Sequence, residues 1–120
     1  MASMTRLRCV LAVNDLKASV AYYANVLGMA VDFEVPGWAF LSRDAFQVML
    51  GECTDAMPAR ELGDHSYFAY VTVDAIDDFY REVIARGAEA PQSPTNKAWG
   101  MREFAVRTPE GHRITFGQQL

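Results

Sequence analysis

A chain of 120 residues, 51% of them hydrophobic and 22% charged, can bury one core, as a single domain or as two half-domains that share it. Its net charge of −4 argues against nucleic acid or an anionic membrane as partner, since both select a basic face, and fits a neutral or cationic ligand. No apolar run approaches the ~20 residues that span a bilayer, the opening MASMTRLR lacks the apolar core of a secretory signal, and Cys9 and Cys53 are too few and too far apart for a disulfide framework or a thiolate metal site, so the expected location is the cytoplasm.

LRCVLAV (7–13) reads as a strand, with Leu11 and Val13 on one face and Arg8, Val10 and Ala12 on the other. Cys9, inside this apolar run, reads as a small buried hydrophobe. Asn14-Asp15 offers a helix N-cap, and Leu16, Val20, Tyr23 and Leu27 recur at helical spacing as far as Gly28, which suits the left-handed position after a last turn. MAVDFEV (29–35), WAFLSR (38–43) and FQVMLGE (46–52) follow as three short strands, punctuated by Pro36-Gly37 and Asp44-Ala45. The unit is βαβββ.

CTDAMPARELGDH (53–65) has mixed charge and no periodicity, and reads as a linker. SYFAYVTV (66–73) restarts as a strand, alternating Phe68, Tyr70 and Thr72 against Ala69, Val71 and Val73. Asp74 is the expected cap of a second helix, with Asp77 completing a weak capping box. Ile76, Phe79 and Val83 form the buried stripe of that helix and Gly87 ends it. Proline-spaced APQSPTNKA (90–98) leads into WGMREFAVRTPEGHRITF (99–116), a hairpin whose T-P-E-G turn is expected to pair Thr108 with Gly111. That pairing puts Arg102, Phe104 and Val106 on the same face as Arg113 and Thr115, and a bulge in the hairpin would swap the set.

The two halves repeat. Val13-Asn14-Asp15-Leu16 and Val73-Asp74-Ala75-Ile76 lie 60 residues apart, and the helix-ending Gly28 and Gly87 lie 59 apart. The chain is therefore expected to be one domain, 1–120, built of repeats 6–52 and 66–118 with linker 53–65. Each repeat leaves one sheet face without a helix, and the two bare faces are expected to surround a common cleft where a ligand binds.

The repeat, the segment LAVNDLKASVAYYANVLGM (11–29) and the terminal WGMREFAVRTPEGHRITFGQ (99–118) together resemble the vicinal oxygen chelate superfamily. Its members include glyoxalase I, extradiol dioxygenases, fosfomycin-modifying enzymes and bleomycin-resistance proteins. The resemblance spans residues 6–118 and implies an α+β, glyoxalase-like fold of two βαβββ modules with a concave cleft. The tail is most similar to the bleomycin-resistance branch, whose members carry W-G-x-R-E-F before a D-P-x-G turn. Thr108 replaces the Asp of that turn here, a change expected to touch only its local hydrogen bonding.

Enzymes of the superfamily hold a divalent metal with His and Glu side chains from the first and last strand of each repeat. The resemblance carries those positions onto Arg8, Phe68, Thr115 and Met49 or a neighbour of it. A guanidinium offers no lone pair and a phenyl ring no donor; Thr is a weak neutral ligand, and a thioether is too soft for that oxygen chemistry. No catalytic residue, metal ligand or cofactor is therefore expected, and His65 and His112 read as exposed turn histidines. The branch implies a metal-free small-molecule-binding protein of the antibiotic-resistance type, sequestering a bleomycin-like or other aromatic or cationic compound. The alternative is a metal-dependent lyase, isomerase or dioxygenase with a displaced site. Candidate ligand contacts are the aromatic Trp38, Phe40, Phe68, Tyr70, Trp99 and Phe104, with Arg102, next to Glu103, as the polar contact. The resemblance also implies a homodimer with its clefts at the subunit interface.

Overall fold

The computed structural model describes Met1–Leu120. The elements are β1 (Cys9–Val13), α1 (Leu16–Asn25), β2 (Ala30–Val35), β3 (Trp38–Arg43), β4 (Phe46–Glu52), β5 (Tyr67–Thr72), α2 (Ile76–Ala85), β6 (Thr95–Asn96), β7 (Met101–Arg107) and β8 (Arg113–Gln119). They form two four-stranded sheets of identical plan, β1-β4-β3-β2 and β5-β8-β7-β6. In each sheet the first strand runs parallel to the last strand of its half, and the remaining pairs are antiparallel. The α+β class is as the sequence led us to expect. Residues 53–65 are not a bare connection, because Ala59–His65 winds into 3-10 turns and Ala59 is buried against the fold.

Local chemistry sets the helix ends. Asp15 keeps an extended backbone and its carboxylate accepts from the Ala18 N–H at 3.0 Å, satisfying one of the orphan donors of a first turn. The expected capping role of Asp74 is not found. The residue before α2 is Ala75, with no side-chain cap of its own, and Asp74 lies one position too early to reach the first turn. Gln118 of β8 takes over, its Oε1 accepting from the Ile76 N–H at 3.0 Å. Glu52 of β4 does the same for Leu16 of α1 at 3.1 Å, so each helix start is tied to the last strand of its own sheet.

One cluster of 17 buried side chains draws on both halves. Sheet one supplies Leu11, Val13, Ala39, Leu41, Val48 and Leu50, and sheet two supplies Phe104, Val106, Ile114 and Phe116. The helices add Tyr22 and Tyr23 from the first half and Ile76, Phe79 and Val83 from the second, and Leu27 and Met29 join from the segment after α1. The strand members all lie on the helix-bearing sheet faces, so the halves share a core through those faces. Two polar joints lock the arrangement. Glu110, in the β7–β8 loop, accepts from the N–H of Asn14 (2.6 Å) and of Asp15 (2.8 Å) and from Ser19 Oγ (3.1 Å) at the start of α1. Arg43 on β3 donates to both carboxylate oxygens of Glu82 on α2, at 2.7 and 3.1 Å, and to the Leu27 carbonyl. The hydrogen bond from Arg43 holds the Glu82 carboxyl below its ordinary range.

With the helix-bearing faces sharing a core, the helix-free faces turn outward. Val10, Phe33 and Trp38 on one, and Tyr70 on the other, are 40–59% exposed. Within one chain the two bare faces stay open to solvent rather than enclosing a cleft between them.

Candidate functional site

The helix-free face of the first sheet follows from its register. Val10 lies beside Met49, which pairs with Phe40, which in turn pairs with Phe33; Trp38 stands between Val35 and Gly51. Strand alternation puts all of these on the face opposite Leu41 and Leu50. Trp38 lies flat over Gly51, so closely that a Cβ on that glycine would sit 2.8 Å from the indole ring. The Arg8 guanidinium lies 5.6 Å from the centre of the Phe40 ring, and Phe33 meets the same ring edge-on at 5.8 Å. Trp38 and Phe40, both candidates from the sequence, therefore share one surface. Val10, Phe33, Val35 and Met49 complete it. Sequence reasoning did not name these four as ligand contacts, although the alternation of β1, β2 and β4 carried the signal.

The second sheet reverses part of the expectation. Its hairpin pairs Arg107 with Arg113, leaving a five-residue loop, 108–112, instead of a two-residue turn. The loop is held by the Gly111 N–H donating to the Thr108 carbonyl and the His112 N–H donating to Thr108 Oγ1. A register change of one residue inverts every side chain of β7 relative to β8. Met101, Glu103, Ala105 and Arg107 thus share the helix-free face with Thr115 and Gly117, while Arg102, Phe104 and Val106 go to the helix side. Phe104 is 3% exposed, wedged among Phe79, Tyr80 and Phe116. Arg102 pairs with Asp77 of α2 and with Asn96, both at 3.0 Å. Neither reaches the bare face, and Arg102 and Glu103 point to opposite sides of the strand.

Phe68 is also displaced. β5 carries an irregularity between Tyr67 and Ala69, which turns Phe68 onto the edge of the core, its ring 5.9 Å from that of His112. His112 is accordingly half-buried rather than an exposed turn residue, and burial pushes its pKa down, with Glu110 opposing. Tyr70 keeps the predicted face. It lies over Gly117, where an added Cβ would fall 1.9 Å from the phenol oxygen.

Glu103 organises this face. Its Oε2 accepts from the Tyr70 hydroxyl and from the Trp99 indole N–H, each at 2.8 Å. A carboxylate taking two such bonds is a firm anchor for both rings. Partial desolvation against the sheet, and then the hydrogen bond and charge of Glu103, raise the Tyr70 pKa to about 12. The other oxygen, Oε1, has no partner among the hydrogen bonds of the chain, and Trp99 is 67% exposed. The face thus presents two aromatic rings fixed by one carboxylate that retains acceptor capacity. Sequence reasoning put Tyr70 on this face and named Trp99 only as a candidate contact, and missed their link, because the expected hairpin register put Glu103 on the other side.

The positions that the superfamily's enzymes use for metal are poorly equipped in this chain. Arg8 rests on Phe40, Met49 and Thr115 lie on the two bare faces, and Phe68 has turned toward the core. No three or more His, Cys, Asp or Glu side chains are grouped as metal ligands. This donor set does not fit the divalent ion of those enzymes.

Comparison with known proteins agrees with this architecture. Residues 6–116 match the family model described as Glyoxalase/Bleomycin resistance protein/Dioxygenase superfamily. A bleomycin resistance protein of Geobacillus stearothermophilus is 28% identical over 123 aligned positions, covering 92% of this chain and 93% of the relative. Among solved structures, TioX from Micromonospora sp. ML1 superposes with a TM-score of 0.80 at 25% identity, over 98% of this chain and 100% of that one. A bleomycin-binding protein from Streptomyces verticillus, in complex with copper(II)-bleomycin, gives 0.75 at 23% identity over 97% of both chains.

Proposed function

The chain belongs to the Glyoxalase/Bleomycin resistance protein/Dioxygenase superfamily, and we propose that it is a binding protein of that superfamily, sequestering a flat aromatic or cationic antibiotic of the bleomycin type without a metal of its own. The observation that carries this reading is the Tyr70–Glu103–Trp99 constellation. A planar ring system stacks on Trp99 or Tyr70, and a positive group meets both the ring faces and the unspent Glu103 oxygen. The relative that shares 28% of its sequence is a bleomycin resistance protein, which gives the ligand class its name.

The binding unit in this reading is a homodimer. Each copy exposes a broad apolar face around Trp38 and Phe40, and surfaces of this kind mark partner or ligand sites. Docking the first-sheet face of one copy opposite the second-sheet face of another encloses two equivalent clefts. Each cleft has Trp38, Phe40, Phe33 and Met49 on one wall and Tyr70, Trp99 and Glu103 on the other. The chemistry is recognition, with no bond made or broken.

The test is a tryptophan fluorescence titration with bleomycin, with and without copper(II), alongside metal analysis of the purified protein. Saturable quenching by a protein free of stoichiometric metal is the expected result, and Trp99→Ala should weaken it about tenfold or more, the loss of a stacking and cation–π contact. A stoichiometric divalent ion in the isolated protein, or an affinity indifferent to Trp99, would overturn the proposal.

A further inference from the structure

A second site lies away from the aromatic faces, at the junction of the two halves. The repeat is not symmetric in its turns. Before α1, the junction corner is filled by Glu110, reaching in from the five-residue β7–β8 loop. The corresponding corner before α2 faces the β3–β4 turn, which is only Asp44-Ala45 and is too short to fill it. What remains is a cavity of ≈ 710 Å³, within the range of small-molecule sites. Its floor is apolar, with Leu27, Met29, Val71 and Phe116 among its lining, and Asp44, Asp74, Asp78, Glu82 and Arg43 carry charge around it.

The balance of charge decides what fits. The lining holds four carboxylates and one guanidinium. Arg81 and Arg86, outside the lining, pair with Asp78 and Glu82, so the unpaired negative charge rests on Asp44 and Asp74, of which the start of α2 offsets only about half a charge. Arg43 is committed to Glu82, to the Leu27 carbonyl and to the face of Phe79, and Asp78 is held by Arg81. Asp44 and Asp74 form no ion pair with any side chain of the protein. We propose that this junction cavity is a second binding site, for a small amphipathic cation whose apolar body lies on the Phe116 floor and whose ammonium group faces Asp44 and Asp74. The site is independent of the reading of the helix-free faces, because it shares no aromatic residue with them.

The experiment uses 4-phenylbutylamine and 4-phenylbutanoate, which have similar bodies and opposite charges, in backbone amide NMR titrations of the full chain. The amine should shift the amides of residues 44–46, 73–79 and 118–119 saturably, in the wild type and in Trp99→Ala alike. The carboxylate should leave them in place. The exposed pair Asp44→Asn and Asp74→Asn should weaken the amine about three- to tenfold, as expected for two screened charge contacts. Equal response to both probes, or amine shifts confined to the Trp38 and Trp99 faces, would overturn the proposal. So would amide shifts at 44–46 and 73–79 that appear on dilution without any probe, since a second copy would then be the occupant.

Discussion

Gly51 and Gly117 occupy matching places in the last strand of each sheet, and each lies beneath an aromatic ring of the helix-free face. Trp38 covers the first and Tyr70 the second. Neither glycine has a positive φ, so the backbone does not demand glycine there; the ring above does. Gly117→Ala should therefore fold, with a stability change of about 1 kcal/mol or less, while pushing Tyr70 away from Glu103. Ligand affinity should fall by up to about tenfold, the value of a lost aromatic contact. Unchanged affinity by calorimetry would remove Tyr70 from the site. His112 supports a pH prediction at the same scale. Burial holds its folded pKa below the ordinary 6.5, so an unfolded chain binds more protons between that folded value and 6.5. Stability should thus decline as pH falls through this window, and the contribution is fully present above it. Urea unfolding at pH 7.5 and 5.5 should show this loss, reduced in His112→Gln; an identical pH dependence in the variant would contradict it.

Alternation and turn punctuation made most elements legible in the sequence, because each strand buries one face against a helix and its apolar residues fall two apart. The buried stripe Ile76, Phe79 and Val83 came from periodicity alone. On α1 the buried set is Ser19, Tyr22 and Tyr23, with Leu16 and Val20 only partly covered; the expected stripe is rotated because this helix also meets the second half, a contact no local pattern encodes. The site was harder to read for a related reason. A single residue of register in the β7–β8 hairpin separates Glu103 from Phe104 as the residue on the open face, and the loop that sets it depends on Thr108 bonding and on Gly111 packing against the Arg60 backbone. Glu110, from the same loop, is one of the two polar joints between the halves. Glu110→Ala strands the Asn14 and Asp15 N–H groups and should cost about 1–3 kcal/mol in urea unfolding. Glu110→Gln, which keeps one acceptor oxygen, should recover part of the loss; a silent Glu110→Ala would show that water serves these donors equally well.

At the scale of the molecule, the shared core leaves both helix-free faces outward, and this is why the proposed cleft needs two copies. Trp38 and Phe40 form one wall, Tyr70, Trp99 and Glu103 the other, and in a single chain the walls look away from a common space. Repetition of the βαβββ unit in the sequence pointed to two bare faces but not to which chain would oppose them, since both arrangements bury the same apolar stripes. Mixing two variants separates the possibilities. Trp38→Ala damages the first wall and Glu103→Gln the second, so either variant alone carries one lesion in every cleft. In a mixed dimer one cleft gathers both lesions and the other gathers none. Bleomycin titration of a refolded one-to-one mixture should therefore recover wild-type affinity in a fraction of the sites that neither variant shows alone. A mixture that binds no better than the two variants measured separately would contradict a cleft shared between copies.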